Sequence, residues 1–448
     1  VSANAKSPLT GGIGDAQAGG FWAVELKAAG FEGVVLKGRS PKPVYLWLHD
    51  GEVELRDASH LWGKVTGDAE RAIKEELGDP KVDVLQIGPA GEKMVKFACV
   101  INMSTRANGR TGMGAVMGSK NLKAIVVRGH NRPQFKDRDA IRALAKWGVE
   151  AFPTSDVAGM RDHGTAATVG AQQAAGGLPT RNWDSGVFEG WEPIDGVTMT
   201  NTVLKENDTC YGCIVRCKRV VEIADGPFQT DPFYGGPEYE TLAALGSYCG
   251  VDNLAAVCKA NELCNKYGID TISAGGAIAW AMDCYEKGII TQAETGGVDL
   301  TFGNAAAMVE MVRQIGEREG FGDLLAEGSY AAAEKLGKGA DLVVASRRQE
   351  FPAHMPRVKR SLALIYAVNP YGADHQSHEH DPNYVPGAYD ERWAEIGLLD
   401  PIADIQGLNT EKVRYSMYTQ WIYNLDNALS LCQFVWGGSW ELYQTSQI

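Results

Sequence analysis

Short runs of apolar residues, broken by polar turns, make the first part of the chain read as β-rich. VYLWLHDGEVELRD (residues 44–57) alternates on both sides of Asp50-Gly51, and this pattern predicts a β-hairpin. VDVLQIG (82–88), KFACVI (96–101) and LKAIVVRG (122–129) are short apolar runs that predict further strands. Between the last two lies STRANGRTGMGAVMGSKNLK, rich in Gly, Arg and Lys. After GHNRPQFKDRD (129–139), a polar connection containing Pro133, the apolar period changes from two to three or four. DNLAAVCKANELCNKYG predicts a helix with Asp252 as N-cap and Gly268 just past its end. DTISAGGAIAWAMDCYEKG repeats the design with Asp270 and Gly288, and NAAAMVEMVRQIGEREG and DLLAEGSYAAAEKLG follow it. Periodicity weakens over 347–381, and a helical ending is expected around 408–432. The fold class this implies is α+β, a β-rich unit followed by mainly helical ones.

Length and charge narrow the classes of function. A chain of 448 residues is long enough for two or three packed units. The formal charge of −13 comes without any basic block, which argues against nucleic acid or an anionic membrane surface as partner. No apolar run approaches the roughly 18 residues of a membrane-spanning helix. Nine cysteines are scattered along the chain. Cys99, Cys249, Cys258, Cys264 and Cys284 sit in apolar contexts and read as buried free thiols, so a reducing, cytoplasmic setting is expected. The opening VSANAKSPLTGG has no Met and reads as mid-domain sequence.

The remaining cysteines carry chemistry. DTCYGCIVRCKR sets Cys210, Cys213 and Cys217 within eight positions. A CxxC pair turns two sulfurs toward one point, and a third four residues on reaches it if the segment turns helical. CxxCxxxC plus one remote Cys matches the ligand count of a [4Fe–4S] cluster. Zinc is the rival, but its sites more often use two paired knuckles, and no second pair exists here. Cys432, in NLDNALSLCQF, is the best place to look for the fourth thiolate. Arg216, Lys218 and Arg219 flank the trio, either raising a cluster potential or forming a solvated basic turn.

Taken in order, KSPLTGGIGDAQAGGFWAVELKAAGFEGVVLKG, GRTGMGAVMGSKNLKAIVVRG, CYGCIVRC, GGPEYET, NKYGIDTISAGGAIAWAM and YGADH span nearly the whole sequence. With these motifs the chain resembles the tungsten-containing aldehyde:ferredoxin oxidoreductases. Family members carry more chain before Val1 and beyond the Cys432 region, so this one reads as shortened at both ends. The resemblance implies a β-rich pterin-cofactor base domain over residues 1–135 and a helical domain over 136–345 with the cysteine trio and Glu240. A mainly helical domain with His375 and Cys432 follows over 346–448. It implies a tungsten (or molybdenum) bis-molybdopterin, Mg²⁺ bridging the pterin phosphates, and a [4Fe–4S] cluster held by Cys210, Cys213, Cys217 and Cys432.

The likeness also assigns side chains. Each pterin is held in the family by an Asp-x-x-Gly-Leu-(Asp/Cys) segment. These map onto Asn265-Lys-Tyr-Gly-Ile-Asp270 and Asn427-Ala-Leu-Ser-Leu-Cys432. Both leading carboxylates are Asn here, and the second Gly is Ser430. Asn265, Asp270, Asn427 and Leu431 are thus expected at the cofactor, although Asp270 has a competing role as a helix N-cap. Arg106, Asn108, Gly109 and Arg110 are expected to cradle phosphates and Mg²⁺, with Gln17 facing the same region. Glu240 is expected as general base and His375 as hydrogen-bond donor; Glu238 reads as structural, and Glu350 and His354 as lining or supporting the cavity. A metal site of His375, His378 and His380 is poorly organised by its spacing. Lys259 falls where an interfacial iron site would need Glu, so no such site is expected. The reaction implied is oxidation of an aldehyde to a carboxylic acid with water as oxygen source, electrons leaving to ferredoxin or a partner subunit. The rivals are a tungsten-dependent carboxylate or aromatic acyl-CoA reductase, an Fe–S electron-transfer subunit and a zinc-stabilised binding protein.

Overall fold

The computed structural model describes residues 1–436. Its N-terminal part is built on a six-stranded mixed sheet. In chain order the strands of this part are β1 (Ser2–Lys6), β2 (Ile13–Gln17), β3 (Val44–His49), β4 (Glu52–Asp57), β5 (Asp83–Gln86), β6 (Val100–Asn102), β7 (Arg106–Asn108) and β8 (Leu122–Arg128). The sheet order is β4-β3-β8-β5-β6-β7, while β1 and β2 pair separately as a hairpin. Only β3 and β8 run parallel within the sheet; its other neighbours are antiparallel.

Period-two sequence explains why both faces of the sheet are covered. Val44, Leu46 and Leu48 of β3 join Ile125 and Val127 of β8 on one face, against Trp22, Leu26 and Met117. Tyr45, Trp47, Ala124 and Val126 take the other face, against Leu61 and Ile73. Strands buried on both faces read as continuous apolar runs. β4, the edge, instead exposes Glu52, Val53, Leu55 and Asp57. The Asp50-Gly51 turn places both residues at positive φ, +43° and +89°, as a two-residue hairpin turn of right-handed strands requires.

The run 96–101 is only half a strand. Its second half forms β6, but Cys99 N–H donates to the Gly268 carbonyl and Asp270 N–H to the Phe97 carbonyl. These two backbone bonds, from Cys99 and to Phe97, dock one part on the other. Helices also fill segments of the β-rich region, notably Trp22–Ala28 and Thr66–Leu77.

The helical part centres on Thr271–Glu286, which has twelve buried residues of sixteen and no polar face. Two expectations about helix ends change. Asn253, not Asp252, caps Leu254–Tyr267, its side chain accepting from Ala256 N–H. DLLAEGSYAAAEKLG forms two helices, Gly320–Leu325 and Ser329–Leu336, separated at Gly328 with φ +88°. The expected late helix is Thr410–Ala428. Among the described residues no helix is long and apolar enough to cross a membrane.

Candidate active site

Two helix stops of the same design aim residues at one region. Leu254–Tyr267 ends at Gly268 (φ +75°), with Ile269 N–H bonded to the Cys264 carbonyl. Thr410–Ala428 ends with Ser430 at φ +58° and Leu431 N–H bonded to the Asp426 carbonyl. Both are stops with a left-handed residue followed by a bond back to the last turn. The residue two positions after each left-handed one is Asp270 in the first and Cys432 in the second. The Asn-x-x-(Gly/Ser)-x-(Asp/Cys) segments are thus, physically, helix C-termini that throw a ligand-bearing residue off the end.

Asp270 is buried and caps the next helix by accepting from Ile272 and Ser273 N–H. It also faces Arg110, Nε to Oδ2 3.4 Å. Desolvation raises the Asp270 carboxyl, with Arg110 opposing. The leading amide of the same stop is spent elsewhere: Asn265 Nδ2 donates to the Tyr234 carbonyl at 2.8 Å. Asn427 is half-buried and Leu431 likewise.

The cysteine trio lies in the loop joining β9 (Leu204–Asp208) to β10 (Lys218–Val221). No helical turn forms between Cys213 and Cys217; Gly212 and Arg216 take positive φ, +64° and +53°, and curl the loop instead. Two hydrogen bonds hold the curl, Thr209 Oγ1 to the Cys213 carbonyl (2.8 Å) and Arg216 to the Asn207 carbonyl (2.8 Å). Phe434 packs with Cys213 and Cys217 over Phe152, Val157 and Val215, so the chain beyond Thr410–Ala428 returns to the loop. Cys432 keeps an exposed edge, yet desolvation pushes its thiol up to about 11, with Cys213 and Cys210 adding to the rise. Cys217 is pushed up to about 12 by desolvation, then by Glu238, with Cys432 and Cys210 as further neighbours. Glu238 pairs with Lys218 at 2.8 Å and accepts from Thr165.

Beside this loop the edge of the sheet carries polar atoms that find no partner among the described residues. Arg106 reaches Asp208 and the Thr209 carbonyl at 2.9 and 2.8 Å, tying β7 to the cysteine loop, but its Nε is orphaned. Asn102 Oδ1, Asn108 Oδ1 and Arg110 Nη1 are orphaned too. Gly109 has open space where a side chain would point. The other glycines of the segment are occupied with packing: a Cβ on Gly114 would lie 2.3 Å from the Cys99 carbonyl oxygen. Gln17 is exposed and bonds Ser2 and Asp15, not this edge.

Opposite the edge sits Glu240, in the first turn of Tyr239–Leu245. Its Oε2 accepts from Ala353 N–H at 2.8 Å. Its Oε1 lies 3.3 Å from both His354 Nε2 and His375 Nε2 and accepts no aligned hydrogen bond; catalytic contacts are commonly this loose before substrate binds. Three buried tyrosines fix the chain that carries His354. The hydroxyls of Tyr248, Tyr366 and Tyr239 donate to the carbonyls of Phe351, Pro352 and Ala353 in turn. Burial drives both imidazoles to the neutral form, His375 down to about 3 and His354 well below its ordinary value. His378 and His380 turn to the carbonyls of Ser361 and His375, away from any shared ligand point with His375. Glu350 accepts from the backbone and hydroxyl of Ser329 and leaves Oε2 unpaired.

Comparison with known proteins decides the family. The N-terminal-domain model of aldehyde ferredoxin oxidoreductase matches residues 1–129, and the model of its domains 2 and 3 matches 143–448. The chain belongs to the aldehyde ferredoxin oxidoreductase family. It is an oxidoreductase of that family, 40% identical to the tungsten-containing aldehyde ferredoxin oxidoreductase of Pyrococcus abyssi over 96% of this chain and 69% of the relative. It is 41% identical to the Pyrococcus furiosus enzyme of the same name over 83% of this chain and 61% of that one. It is also 32% identical to an aliphatic sulfonate oxidoreductase, WOR-like subunit, of the same organism, over 83% and 62%. The solved BamBC active-site complex of benzoyl coenzyme A reductase shares the fold, with a TM-score of 0.80 at 24% identity over 96% of this chain and 70% of that one.

Several residues at the site carry no signal in the sequence. The tyrosine clamps are ordinary core aromatics when read in one dimension. Lys359, buried against His354 and His380 at 3.1 Å from each, looks like a surface lysine in RVKRSL. Asp426 is 2% exposed with both carboxylate oxygens unpartnered among the described residues, and desolvation pushes it up to about 7. Its one-position offset from the family frame hid it.

Proposed function

We propose that the protein oxidises an aldehyde to a carboxylic acid with water, at a bis-pterin tungsten centre seated between the sheet edge and the helical part. The reading rests on one observation above others: Glu240 Oε1, buried and unpaired, faces two neutral imidazoles opposite a row of orphaned polar atoms. That row fits the group. Arg106 and Arg110 offer unspent N–H donors for phosphate oxygens, Asn102 and Asn108 offer oxygens for pterin N–H groups or a phosphate-bound Mg²⁺, and Gly109 leaves room for approach. The names of the relatives supply the metal.

When bound, such a centre supplies a two-electron acceptor next to the carbonyl carbon. The chain's own groups do the rest. Glu240 takes a proton from water or the aldehyde hydrate through Oε1, while Oε2 stays fixed on Ala353 N–H. His375 offers a hydrogen bond to oxygen as charge builds on it, and its neutrality keeps it from pairing permanently with Glu240. Cys210, Cys213, Cys217 and Cys432 would hold a [4Fe–4S] cluster, which would supply a one-electron carrier, and Arg106 links the cysteine loop to the sheet edge. Electrons leave to ferredoxin or to a partner subunit; the relative named as a subunit supports the second route.

Three donors of Glu240, His354 and His375 lie within 4.8 Å of one another, which invites a metal reading. The tautomers oppose it. With Lys359 as ammonium 3.1 Å from His354 Nδ1, that nitrogen accepts and Nε2 carries the proton where a metal would need a lone pair.

The test combines elemental analysis with one substitution. The purified protein should hold tungsten and about four Fe per chain, the content of one cubane cluster. Glu240→Gln should lower kcat for aldehydes about a hundredfold or more, the usual worth of a general base, with metal content unchanged. Zinc without tungsten, or full activity in the variant, rejects the proposal.

A further inference from the structure

Lys359 is buried at the start of the Arg360–Val368 helix, and the proposed reaction has no use for it so far. Its Nζ lies 3.1 Å from His354 Nδ1 and 3.1 Å from His380 Nδ1. An ammonium only donates, so both nitrogens accept. The far side of the His380 ring agrees. His380 Nε2 is 2.9 Å from the His375 carbonyl, which only accepts, so the proton of His380 is on Nε2. His354 Nε2 then carries its proton toward Glu240 Oε1, 3.3 Å away. One lysine thus contacts two imidazoles, and His354 Nε2 lies 3.3 Å from Glu240 Oε1, a contact not aligned as a hydrogen bond before substrate binds.

We propose that Lys359 and His354 form a one-proton relay that discharges Glu240. The inference rests on the reading of Glu240 as the group that accepts the substrate proton. The step starts from a protonated Glu240, His354 with its proton on Nδ1, and neutral Lys359 amine. The Glu240 O–H breaks as an N–H forms at His354 Nε2; the Nδ1–H breaks as an N–H forms at Lys359 Nζ. Glu240 ends as carboxylate, His354 stays neutral with its tautomer exchanged, and Lys359 ends as ammonium. Charge and protons balance and no electrons move. The 3.1 Å contacts of Lys359 Nζ with His354 Nδ1 and His380 Nδ1 suit that end state. Neither Lys359 nor His354 touches substrate; both are positioning and relay groups acting through Glu240.

The surroundings make Lys359 able to give up its proton. Burial lowers it to about 8, against the upward pull of Glu379, Asp381 and Glu240. Of these, Asp381 is already paired with Lys412 at 2.8 Å, and Glu379 accepts from Tyr423 at 2.8 Å. His354 and His380 both face the amine in neutral form. The sign follows. Aldehyde oxidation needs the neutral amine as proton acceptor, so its rate rises as pH passes through the Lys359 titration. Acid reduction needs the ammonium as donor, so its rate falls over the same interval.

The test uses the oxidised holoenzyme, with tungsten and iron measured in every preparation. Acetaldehyde oxidation with benzyl viologen as acceptor is followed from pH 6 to 10 for wild type, Lys359→Arg and Lys359→Met. Wild type should show a rise in kcat centred near pH 8. Both variants should lose the inflection and run about tenfold slower on the alkaline side with KM little changed. Arginine keeps a buried donor but cannot release its proton, so rescue of the wild-type profile by arginine would mean a purely structural lysine and overturn the relay. The second arm needs no turnover. Imidazole ¹⁵N spectra of protein labelled at histidine should show the His354 tautomer exchanging as pH crosses 8 in wild type and not in Lys359→Arg. If acetaldehyde and other aldehydes are not oxidised yet the tautomer exchanges, the reaction assignment fails and the relay stands. If aldehydes are oxidised with no pH step and no exchange, the relay fails alone. Should Lys359→Met not fold, the arginine variant and the wild-type spectra decide.

Discussion

Ser430 shows what a single side chain costs at a helix stop. Its φ of +58° lies in the left-handed region, where a Cβ crowds the following carbonyl by about 1–2 kcal/mol. Gly268, at the matching position of the other stop, has φ +75° with no such penalty. Ser430→Gly should therefore stabilise the protein by about 1 kcal/mol, part of the strain being returned as glycine's larger entropy loss on folding. Urea unfolding should show a higher midpoint at unchanged slope, and Gly268→Ser should lose more than this, because a Cβ there also meets the Gly88 backbone nitrogen at 3.0 Å. The same pair of stops shows how far single residues can be read from sequence. Asp270 was legible as an N-cap from local spacing, while its place and that of Cys432 at the cofactors entered through the family resemblance. Asn265 was placed at the cofactor by analogy, yet its amide is spent on Tyr234. Glu240 and His375 entered only through the family resemblance. Lys359 was not legible at all, because its burial is made by His354 and His380, five and twenty-one positions away.

Elements were read best where their determinants are local. The 44–57 hairpin forms in the expected register, Val44 opposite Asp57 and His49 opposite Glu52, since alternation and an Asp-Gly turn suffice to define it. The run 96–101 misled because an apolar stretch does not say where its backbone groups will bond; Cys99 N–H goes to the Gly268 carbonyl, and the Phe97 carbonyl accepts from Asp270 N–H. The cysteine loop misled for the opposite reason, spacing compatible with a helix being realised by left-handed residues. Packing between elements is the least legible and the most costly to disturb. Thr271–Glu286 crosses Tyr239–Leu245 so closely that a Cβ on Gly275 would meet the Ala244 carbonyl oxygen at 2.3 Å. That crossing positions Glu240. Gly275→Val should destabilise by several kcal/mol, as overpacking against unyielding backbone does, and should lower tungsten content by displacing Glu240 and its neighbours. Gly148, inside Arg138–Ala151, is the control, because a Cβ added there would meet no atom within 4 Å. Gly148→Ala should gain up to about 1 kcal/mol from helix propensity alone. Thermal unfolding of the two variants separates crowding from propensity.

At the scale of the whole molecule, the candidate site is also the joint between the sheet and the helical part. The protein's own contacts across that joint include the Ala98–Ile269 bridge, the Arg110–Asp270 pair and the bond from Arg110 to the Glu350 carbonyl at 2.6 Å. Around them stand unpaired polar atoms from both sides: Asn102, Asn108 and Arg110 on the sheet edge, and Glu240, Gln349 and Glu350 across from it. Each buried polar group left unpaired costs about 1–3 kcal/mol, so a ligand that satisfies several at once should tie the two parts together. A group bound only by the folded state stabilises it by mass action, about 4 kcal/mol at a thousandfold excess over Kd. Protein produced in a host unable to make molybdopterin should therefore melt well below protein loaded with the tungsten cofactor. Its scan should also broaden or divide, as the sheet unit loses its tie to the helices before either melts. Differential scanning calorimetry of the two preparations, with cofactor content measured in each, makes the comparison. Coincident single transitions would mean that the joint is held by the protein's own contacts, and that the orphaned atoms on its two sides do not share a ligand.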